Sequence, residues 1–454
     1  MKNLSKLHKS HIYFIGIGGI SMSGLAKMVV DSGIKVSGSD SGSSAEIQVL
    51  EDMGITIFKS HDEKNISKDI DLVVFSGAIN ATNPEIIRAK ELGIEVVERS
   101  EFLGVVSQSY DKVVAIAGTH GKTTTTALIG EIFVKAEKNP TIHIGGESVS
   151  LKGNTIIGGS EYFIVEACEY RESFRYLRPH IGVITNIDLD HVDYYSGIGA
   201  IQSAFERFAD NCGSIVCPRD ITLKKSGTII NSADGWEARF IKGDTCGYLF
   251  AVYFKAHFWA EVRLNMIGLH NITNTLFAIA VAVECGIDKD TIVDAIAGFL
   301  GVGRRYEKIA TCDGCNVIID YAHHPTELKC SIEGISGAYS RVLYIFQPHT
   351  YSRTLGLFDE FVEVLSELND LVLFKTYPAR EDVIVGGTAM DLYHKLIAEK
   401  IDKTSIENRA IRYMDDIVDI EKYIRKKAGD FDCILVLGAG DLADKLKKRL
   451  KKEN

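Results

Sequence analysis

The sequence lacks any uncharged apolar run that reaches the roughly 18 residues needed to span a membrane. It also lacks a paired cysteine framework, because its nine cysteines are scattered along 454 residues. Only Cys312 and Cys315 have metal or redox spacing, and the Asp-Gly dipeptide between them indicates a hairpin turn instead. These absences predict a protein of a reducing compartment, the cytoplasm, with no membrane partner.

Positive charge is scarce relative to negative charge. The formal net charge is −10, with 51 lysines and arginines against 61 aspartates and glutamates. This balance argues against a nucleic acid partner along the whole chain, so an anionic ligand must meet local cations and helix N-termini. With 46% apolar and 25% charged residues, the chain has a globular composition and is long enough for about three domains of roughly 150 residues.

The most informative motif follows the apolar run Val113–Ala117 and consists of Gly118, Thr119, His120, Gly121, Lys122, Thr123 and Thr124. This order is typical of a strand, a phosphate-binding loop and a helix. The glycines let backbone N–H groups face an anion, Lys122 supplies positive charge, and the Thr123 hydroxyl can hold Mg²⁺. Ile116 stands where the general pattern G-x-x-x-x-G-K-[ST] has its first glycine. The motif alone is therefore also compatible with a loop that resembles a phosphate-binding loop by chance.

The first 107 residues alternate short apolar runs with helical stretches, which predicts a βαβ series and a parallel sheet. A glycine-rich turn from Gly16 to Gly24 follows the first apolar run, and Asp40 stands roughly where a ribose-binding acid is expected. Ser21 replaces the third glycine of the dinucleotide fingerprint, so NAD stays open but is not favoured. The remaining turn and helix N-terminus can hold a pyrophosphate, which a UDP-sugar also carries.

Two apolar runs at 163–167 and 181–188 are typical of buried strands that end in polar residues. Ligands of open α/β sheets gather at the carboxyl ends of strands, so four side chains are expected near Lys122: Glu166, Asn186, Asp188 and His191. Mg²⁺ prefers oxygen ligands, which favours Glu166 together with Thr123. His191 is either a less expected metal ligand or a histidine that orients the Asp188 or Asp190 carboxylate.

The last part of the chain alternates strand and helix patterns again, which predicts another βαβ sheet. Two loops between its strands, Asp320–Glu327 and Phe346–Thr354, are dense in side chains that can bind ligands. Such strand-end loops are common places for function. Of their histidines, His323 and His324 can equally serve to satisfy buried polar groups.

Taken together, these segments resemble the Mur ligases over essentially the whole chain. The resemblance rests on the phosphate loop, on Gly268–Asn274, on the stretch from Gly301 to Arg305, and on both late loops, in this order. The fold that it implies is α/β with three domains. They are a Rossmann-like UDP-sugar-binding domain (1–107), a P-loop ATPase-like ATP-binding domain (108–303) and a Rossmann-like amino-acid-binding domain (304–454).

The activity implied by the resemblance is ATP-dependent amide synthesis in peptidoglycan precursor formation. ATP phosphorylates a sugar carboxylate, and an amine then displaces phosphate. The loop at 346–354 favours the branch that joins L-alanine to UDP-N-acetylmuramate over the branch that recycles a tripeptide. The implied cofactors are ATP and Mg²⁺, the partners are small molecules, and the assembly is a monomer or a homodimer.

The resemblance also assigns residues. Lys122, His349 and Arg353 are the expected catalytic residues, and the expected metal ligands are Thr123, Glu166 and His191. Beyond the phosphate loop, ATP is expected at Asn271, Asn274, Arg304, Arg305 and Asp320. The UDP-sugar is expected at Gly16, Gly18, Gly19, Ser21, Ser23, Asp40, His61 and Ser76, and the amino acid at His324, His349, Tyr351 and Arg353.

One departure from several Mur ligases concerns the second metal site. Those enzymes use a carbamylated lysine downstream of the metal histidine, whereas this chain has no lysine from His191 to Leu223. Three rival functions stay open. A nicotinamide-dependent dehydrogenase would not account for the phosphate loop. A nucleotide-dependent switch protein would not account for the ligand-binding side chains of the two late loops. The tripeptide-recycling ligase differs in the amino acid or peptide that it accepts.

Overall fold

A computed structural model describes residues 7, 9–151, 153–191, 194–402 and 410–450. Two compact units make up the chain. The first comprises residues 1–187, 202–236 and 276–295, and the second comprises 188–201, 237–275 and 296–454. Among the described residues, no helix is long and apolar enough to cross a membrane.

The N-terminal sheet lies in the first unit and is parallel, with strand order β3-β2-β1-β4-β5. Its central strand β1 is buried along its whole length, because every residue from Ile12 to Ile15 is fully enclosed. The elements are β1 (His11–Ile15), α1 (Ile20–Asp31), β2 (Lys35–Ser39), α2 (Ala45–Asp52), β3 (Thr56–Phe58), β4 (Leu72–Phe75), α3 (Pro84–Glu91), β5 (Glu95–Glu98) and α4 (Arg99–Ser107).

A second sheet follows in the same unit, where its strands have the order β12-β11-β10-β6-β9-β7-β8. All neighbours in this series are parallel except β7 and β8. The elements are β6 (Lys112–Ala117), α5 (Lys122–Lys135), β7 (Thr141–Ser148), β8 (Gly153–Ile156), β9 (Tyr162–Glu166), β10 (Ile181–Ile184), α6 (Ile198–Asn211), β11 (Ser214–Pro218) and β12 (Thr228–Ile230).

The segment after β12 contains strands that the sequence analysis did not predict. Strands β14 and β15 form an antiparallel hairpin in the second unit, with a register shift between Val252 and Tyr253. The elements of this segment are β13 (Trp236–Asp244), β14 (Gly247–Phe254), β15 (His257–Leu264), α7 (His270–Glu284) and α8 (Lys289–Gly298).

The C-terminal sheet lies in the second unit and has strand order β16-β17-β21-β18-β19-β20. Only its edge pair β16 and β17 is antiparallel. The elements are β16 (Glu307–Cys312), β17 (Cys315–Asp320), α9 (Pro325–Ser336), β18 (Val342–Phe346), α10 (Tyr351–Gly356), α11 (Phe358–Ser366), β19 (Asp370–Phe374), α12 (Ala389–Asp402), β20 (Ala410–Met414), α13 (Ile417–Lys427), β21 (Cys433–Leu437) and α14 (Leu442–Leu450).

The hairpin predicted at Cys312 and Cys315 is confirmed. The two cysteines face each other in the register of β16 and β17, and both are free thiols. Asp313 and Gly314 have φ of 45° and 80°, which suits the two-residue turn that Asp-Gly favours. The predicted α/β organisation is also present, with one sheet in each third of the chain. The domain boundaries at 107/108 and 303/304 stay a prediction.

Candidate functional site

The phosphate loop connects the buried strand β6 to helix α5 through four residues. Gly118 and Gly121 have φ of 138° and 83°, in the region that favours glycine. A Cβ at Gly118 would overlap the Thr185 hydroxyl at the end of β10. The loop therefore needs glycine at 118 both for its backbone conformation and for close approach of the neighbouring strand.

The segment after β10 holds the phosphate loop in place through several hydrogen bonds. The His120 N–H donates to Asn186 Oδ1 at 2.9 Å, and Asn186 Nδ2 donates back to the His120 carbonyl at 2.9 Å. The Thr119 N–H donates to the Asn186 carbonyl at 3.3 Å. Asn186, predicted near Lys122, thus acts here as a brace for the loop backbone.

Lys122 is paired with an acid that the sequence analysis missed. Its Nζ lies 2.9 Å and 3.1 Å from the two carboxylate oxygens of Glu169 and also donates to the Thr119 carbonyl at 3.1 Å. The side chains are 17% and 3% exposed. Burial favours the neutral amine, but the nearby acidic groups, Glu169 first among them, together hold the pKa of Lys122 above its ordinary value. Lys122 is therefore a cation next to the phosphate loop.

Glu166 ends β9, the strand beside β6, where its register partner is Ile116. Its Oε1 accepts a 2.8 Å hydrogen bond from the Gly145 N–H. Thr123 lies in the first turn of α5, next to Lys122. A carboxylate and a hydroxyl at the loop-bearing edge of one sheet form a donor set that suits a hard cation such as Mg²⁺.

The glycine turn after β1 is braced by Asp40, which follows β2. Gly18 N–H donates to Asp40 Oδ2 at 2.9 Å, and Gly42 N–H donates to its Oδ1 at 2.8 Å. Gly16 has a φ of 78° and lies against Ser76, the residue after β4, while Gly19 caps helix α1. The structure thus brings Gly16, Gly18, Gly19, Asp40 and Ser76 together at the carboxyl edge of the N-terminal sheet.

Ser21 and Ser23 lie in the first turn of α1 but differ in surroundings. Ser21 Oγ is 2.9 Å from His143 Nε2 on β7 and accepts a 3.2 Å bond from Arg99. Ser23 is fully buried and donates to the Ile20 carbonyl, which favours a structural role for it. His143 also contacts Thr155 Oγ1 at 3.0 Å, and burial together with Arg99 lowers its pKa to about 3. The predicted sugar-nucleotide turn is therefore hydrogen-bonded to the sheet that carries the phosphate loop.

His61 lies beyond β3 and contacts a buried acid that sequence reasoning did not single out. Its Nδ1 is 2.8 Å from Glu85 Oε2 and 3.0 Å from Ser39 Oγ. Glu85 is fully buried in the first turn of α3 and also accepts hydrogen bonds from Tyr13, Ser39 and Asn65.

In the second unit, Arg353 and His349 form a cluster with Asp190. Arg353 donates through Nε and Nη2 to the two oxygens of Asp190, at 3.1 Å and 3.3 Å, and through Nη1 to the His349 carbonyl at 2.8 Å. The His349 ring stacks on Tyr377, with ring centroids 5.4 Å apart. Burial and the nearby Arg353 lower the pKa of His349 to about 4, so its imidazole is neutral near pH 7.

The other late-loop residues, Tyr351, His324 and His323, have different surroundings. Tyr351 is the first residue of α10. His324 caps α9 by accepting from the Thr326 N–H, and its Nε2 lies 3.0 Å from the Leu189 carbonyl. His323 is 5.9 Å from His349 between ring centroids, and burial lowers its pKa to about 3. The contacts of His324 favour the structural role left open for it.

Asp188 and His191 belong to the second unit. Asp188 Oδ2 accepts a 2.7 Å hydrogen bond from Thr326 Oγ1. His191 has a φ of 54°, and its N–H donates to Asp190 Oδ1 at 2.7 Å. The contact that His191 makes with the Asp190 carboxylate is therefore a hydrogen bond from its backbone. The ring Nε2 is 3.9 Å from Asp190 Oδ2.

Asn271 and Asn274 share one face of α7, because they are three residues apart on a helix. Asn274 Nδ2 donates to Asn271 Oδ1 at 2.9 Å, and Asn271 Nδ2 donates to the Ile267 carbonyl at 2.8 Å. Both residues are buried.

Arg304 and Arg305 flank the ring of Tyr321, at 4.7 Å and 5.3 Å from its centroid. Arg304 also donates to the carbonyls of Gly438 and Gly440 at 2.9 Å and 2.8 Å. Asp320 is buried, which raises its pKa, and it accepts from the backbone of Tyr306 and Ala322 and from Ser331.

Comparison with known families matches three consecutive segments of the chain. Residues 11–111 match "Mur ligase family, catalytic domain", residues 116–282 match "Mur ligase middle domain", and residues 304–440 match "Mur ligase, glutamate ligase domain". Together these segments cover most of the chain.

Individual relatives are similar over nearly the full length. A protein of Caldicellulosiruptor saccharolyticus named UDP-N-acetylmuramate--L-alanine ligase is 39% identical over 95% of this chain and 96% of its own length. One of the same name from Clostridium acetobutylicum is 39% identical over 95% of both chains.

Among solved structures, the UDP-N-acetylmuramate-alanine ligase MurC of Thermotoga maritima is similar, with a TM-score of 0.81 and 26% identity over 97% of this chain and 98% of its own. A murein peptide ligase of Psychrobacter arcticus has a TM-score of 0.70 and 26% identity over the same shares of the two chains. The predicted three-domain α/β fold is confirmed by these matches.

Proposed function

The chain belongs to the Mur ligase family, and we propose that it joins L-alanine to UDP-N-acetylmuramate in an ATP-dependent reaction that releases ADP and phosphate. The observation that carries this assignment is near-full-length similarity, at 38–39% identity, to relatives named UDP-N-acetylmuramate--L-alanine ligase. The structural neighbour with that activity in its name also has a higher TM-score than the murein peptide ligase, 0.81 against 0.70. The tripeptide-recycling and dehydrogenase alternatives have no comparable support.

The reaction has two chemical steps. A carboxylate is a poor acyl donor, so ATP first phosphorylates the lactyl carboxylate of the sugar, and the amine of alanine then attacks the acyl phosphate and expels phosphate. The transfer of a phosphoryl group depends mainly on positioning and on neutralisation of charge. The phosphate loop, with residues 118–124, supplies backbone N–H groups for this purpose, and Lys122 supplies a full positive charge.

Magnesium fits the donor set of the first unit. Glu166 and Thr123 would hold one ion, and His191 is proposed for a second. When bound, Mg²⁺ neutralises phosphate charge and orients the phosphoryl group. Since this chain has no lysine from His191 to Leu223, the second site does not use the carbamylated lysine of several related enzymes.

The cluster of Arg353 and His349 supplies what an amino-acid substrate needs. A guanidinium binds a carboxylate through two parallel hydrogen bonds. The alanine amine must lose a proton before it attacks, and a neutral imidazole can accept it. His349 is neutral because its pKa is lowered to about 4. We assign Arg353 to the alanine carboxylate and His349 to its amine, with Tyr351 next to them in sequence.

The remaining ligand contacts are proposed by position. The UDP-sugar is assigned to the carboxyl edge of the N-terminal sheet, where Gly16, Gly18, Gly19, Asp40 and Ser76 meet and where Ser21 and His61 are partly accessible. ATP is assigned to the phosphate loop and to Asn271, Asn274, Arg304, Arg305 and Asp320.

The test is phosphate release by the purified protein with ATP and Mg²⁺, with and without UDP-N-acetylmuramate, and with each amino acid added separately. Release should require both the sugar nucleotide and L-alanine, and the nucleotide product should be heavier by one alanyl residue. Release without an acceptor, or none with any amino acid, contradicts the assignment. A tripeptide in place of alanine tests the recycling reaction in the same assay.

We further propose a cytoplasmic location, since all nine cysteines are free thiols. The protein is proposed to act on small molecules as a monomer or a homodimer, which sedimentation velocity distinguishes.

A further inference from the structure

A buried carboxylate, Glu85, lies in the first turn of α3, and its side-chain partners come from β1, from the end of β2 and from the segment after β3. Glu85 is 0% exposed, and each of its two oxygens accepts two hydrogen bonds from side chains. Oε1 accepts from Tyr13 Oη at 2.7 Å and from Asn65 Nδ2 at 2.8 Å. Oε2 accepts from Ser39 Oγ at 2.7 Å and is 2.8 Å from His61 Nδ1. A carboxylate surrounded in this way can only accept.

This arrangement fixes the tautomer of His61. Ser39 donates its single proton to Glu85, so its oxygen can only accept from His61 Nδ1, which lies 3.0 Å away. His61 Nδ1 therefore faces two acceptors and must carry a proton. In a neutral imidazole the other nitrogen, Nε2, then has a lone pair. The side chain of His61 is 21% exposed, and none of the hydrogen bonds described above for this ring uses Nε2.

The position of His61 suits the base of a nucleotide whose pyrophosphate lies at the glycine turn. The turn follows β1, Asp40 follows β2, and His61 follows β3, and these strands are parallel neighbours. Neighbouring strands are about 4.8 Å apart, so β3 lies roughly 10 Å from β1. A nucleoside diphosphate that starts at β1 thus extends past the end of β2 and brings its base to the end of β3.

We propose that Glu85 is a positioning residue that holds His61 with Nε2 as a hydrogen-bond acceptor, and that this acceptor selects uracil over cytosine. Uracil presents an N3–H donor at its Watson–Crick edge, whereas cytosine presents a lone pair at the same atom. An acceptor that faces N3 therefore binds uracil and leaves two lone pairs opposed with cytosine. This inference rests on the proposed function, because it takes a uridine nucleotide as the ligand.

The first test is calorimetric binding of UDP-N-acetylmuramate and of its cytidine counterpart. The wild-type protein should prefer the uridine compound, and His61→Phe should reduce the ratio of the two affinities by about tenfold or more. Glu85→Gln should reduce the ratio similarly although His61 is still present, because the amide can turn its N–H₂ group toward Nδ1. An unchanged ratio in either variant overturns the proposal.

The matched control is Tyr13→Phe. It removes one donor to the other oxygen of Glu85 and leaves the contact with His61 intact, so the affinity ratio should stay within about twofold of wild type. An equal loss in this control would mean that general loosening of the buried network is responsible, and it would overturn the role assigned to His61.

A direct reading of the tautomer keeps the proposal testable if Glu85→Gln does not fold. Nitrogen-15 NMR of protein labelled in histidine should show a protonated Nδ1 and an unprotonated Nε2 for His61, with the signals identified by their loss in His61→Phe. The opposite tautomer would overturn the proposal. If the wild-type protein binds the uridine compound selectively but releases no phosphate with L-alanine, the proposed reaction fails and this inference stands.

Discussion

Asp190 accepts hydrogen bonds from the guanidinium of Arg353 through both of its carboxylate oxygens, at 3.1 Å from Nε and 3.3 Å from Nη2. The arginine proposed for the carboxylate of alanine therefore already binds a carboxylate of its own chain. Burial raises the pKa of Asp190, but the nearby positive groups, Arg353 first among them, together keep it below its ordinary value. Asp190 thus keeps Arg353 oriented, and the substrate must share the guanidinium or displace Asp190 from it.

The first prediction concerns Arg353→Lys. A lysine keeps the charge but cannot form two parallel hydrogen bonds, so we expect the KM for L-alanine to rise roughly ten- to hundredfold. The KM for ATP should change little. Steady-state kinetics at saturating ATP and UDP-N-acetylmuramate measure the effect. Arg341→Lys, at an exposed arginine paired with Asp432, is the control. An unchanged KM for alanine would contradict the role of Arg353.

The second prediction concerns Glu169→Gln. It removes the counter-charge of Lys122, so the ligand-free protein should lose about 1–3 kcal/mol of stability. The loss should be smaller with a bound non-hydrolysable ATP analogue, because the phosphates then supply the missing negative charge. Thermal unfolding with and without the analogue measures both values. Glu172→Gln, which breaks a pair with the half-exposed Arg207, should show no such difference. Equal losses in both states would refute the prediction.

The third prediction concerns acid stability and His143. Its pKa is about 3 in the folded protein, against about 6.5 for an ordinary histidine, so the unfolded chain binds the extra proton between these values. Stability should therefore fall as the pH drops below 6.5, by about 2 kcal/mol from this residue at pH 5. His143→Gln should unfold with a weaker pH dependence between pH 7.5 and 5. His257→Gln, at an exposed histidine, should behave as wild type. If His143→Gln does the same, the assignment is wrong.

The fourth prediction concerns magnesium. Removal of divalent cations with a chelator should abolish phosphate release, and added Mg²⁺ should restore it. Glu166→Gln replaces an anionic ligand by a neutral amide, so the Mg²⁺ concentration for half-maximal activity should rise roughly tenfold or more. Glu161→Gln, at the exposed residue just before the same strand, serves as the control. A normal Mg²⁺ requirement in Glu166→Gln would remove this residue from the site.

Several of the parallel strands could be predicted from the sequence, because buried parallel strands are continuous apolar runs. The run Val113–Ala117 differs from β6 by one residue and the run 163–167 is displaced by one residue from β9, whereas the run 181–188 extends four residues beyond the end of β10. The hairpin of β14 and β15 was missed although β14 is a mostly buried apolar run, because its turn, Lys255-Ala256, is a weaker signal than the Asp-Gly at 313–314.

Pairs of residues that are far apart in the sequence could not be predicted from the sequence. Lys122 and Glu169 are 47 positions apart, and His61 and Glu85 are 24 apart. Nothing in the local pattern distinguishes Glu85 from the exposed glutamate of a helix first turn, since both suit the positive end of the helix. Full burial and four side-chain hydrogen bonds are visible only in three dimensions. The hydrogen bond between Asp40 and the Gly18 N–H likewise could not be deduced from spacing.

The fit between Gly118 and Thr185 limits how this protein can evolve. A side chain at 118 collides with the Thr185 hydroxyl, and a smaller residue at 185 would relieve the collision but not the backbone strain at a φ of 138°. No single replacement at position 118 or 185 therefore allows a residue other than glycine at position 118 without strain. Resistance to an inhibitor that fills the phosphate loop should consequently arise at residues around the loop, and not at Gly118 itself.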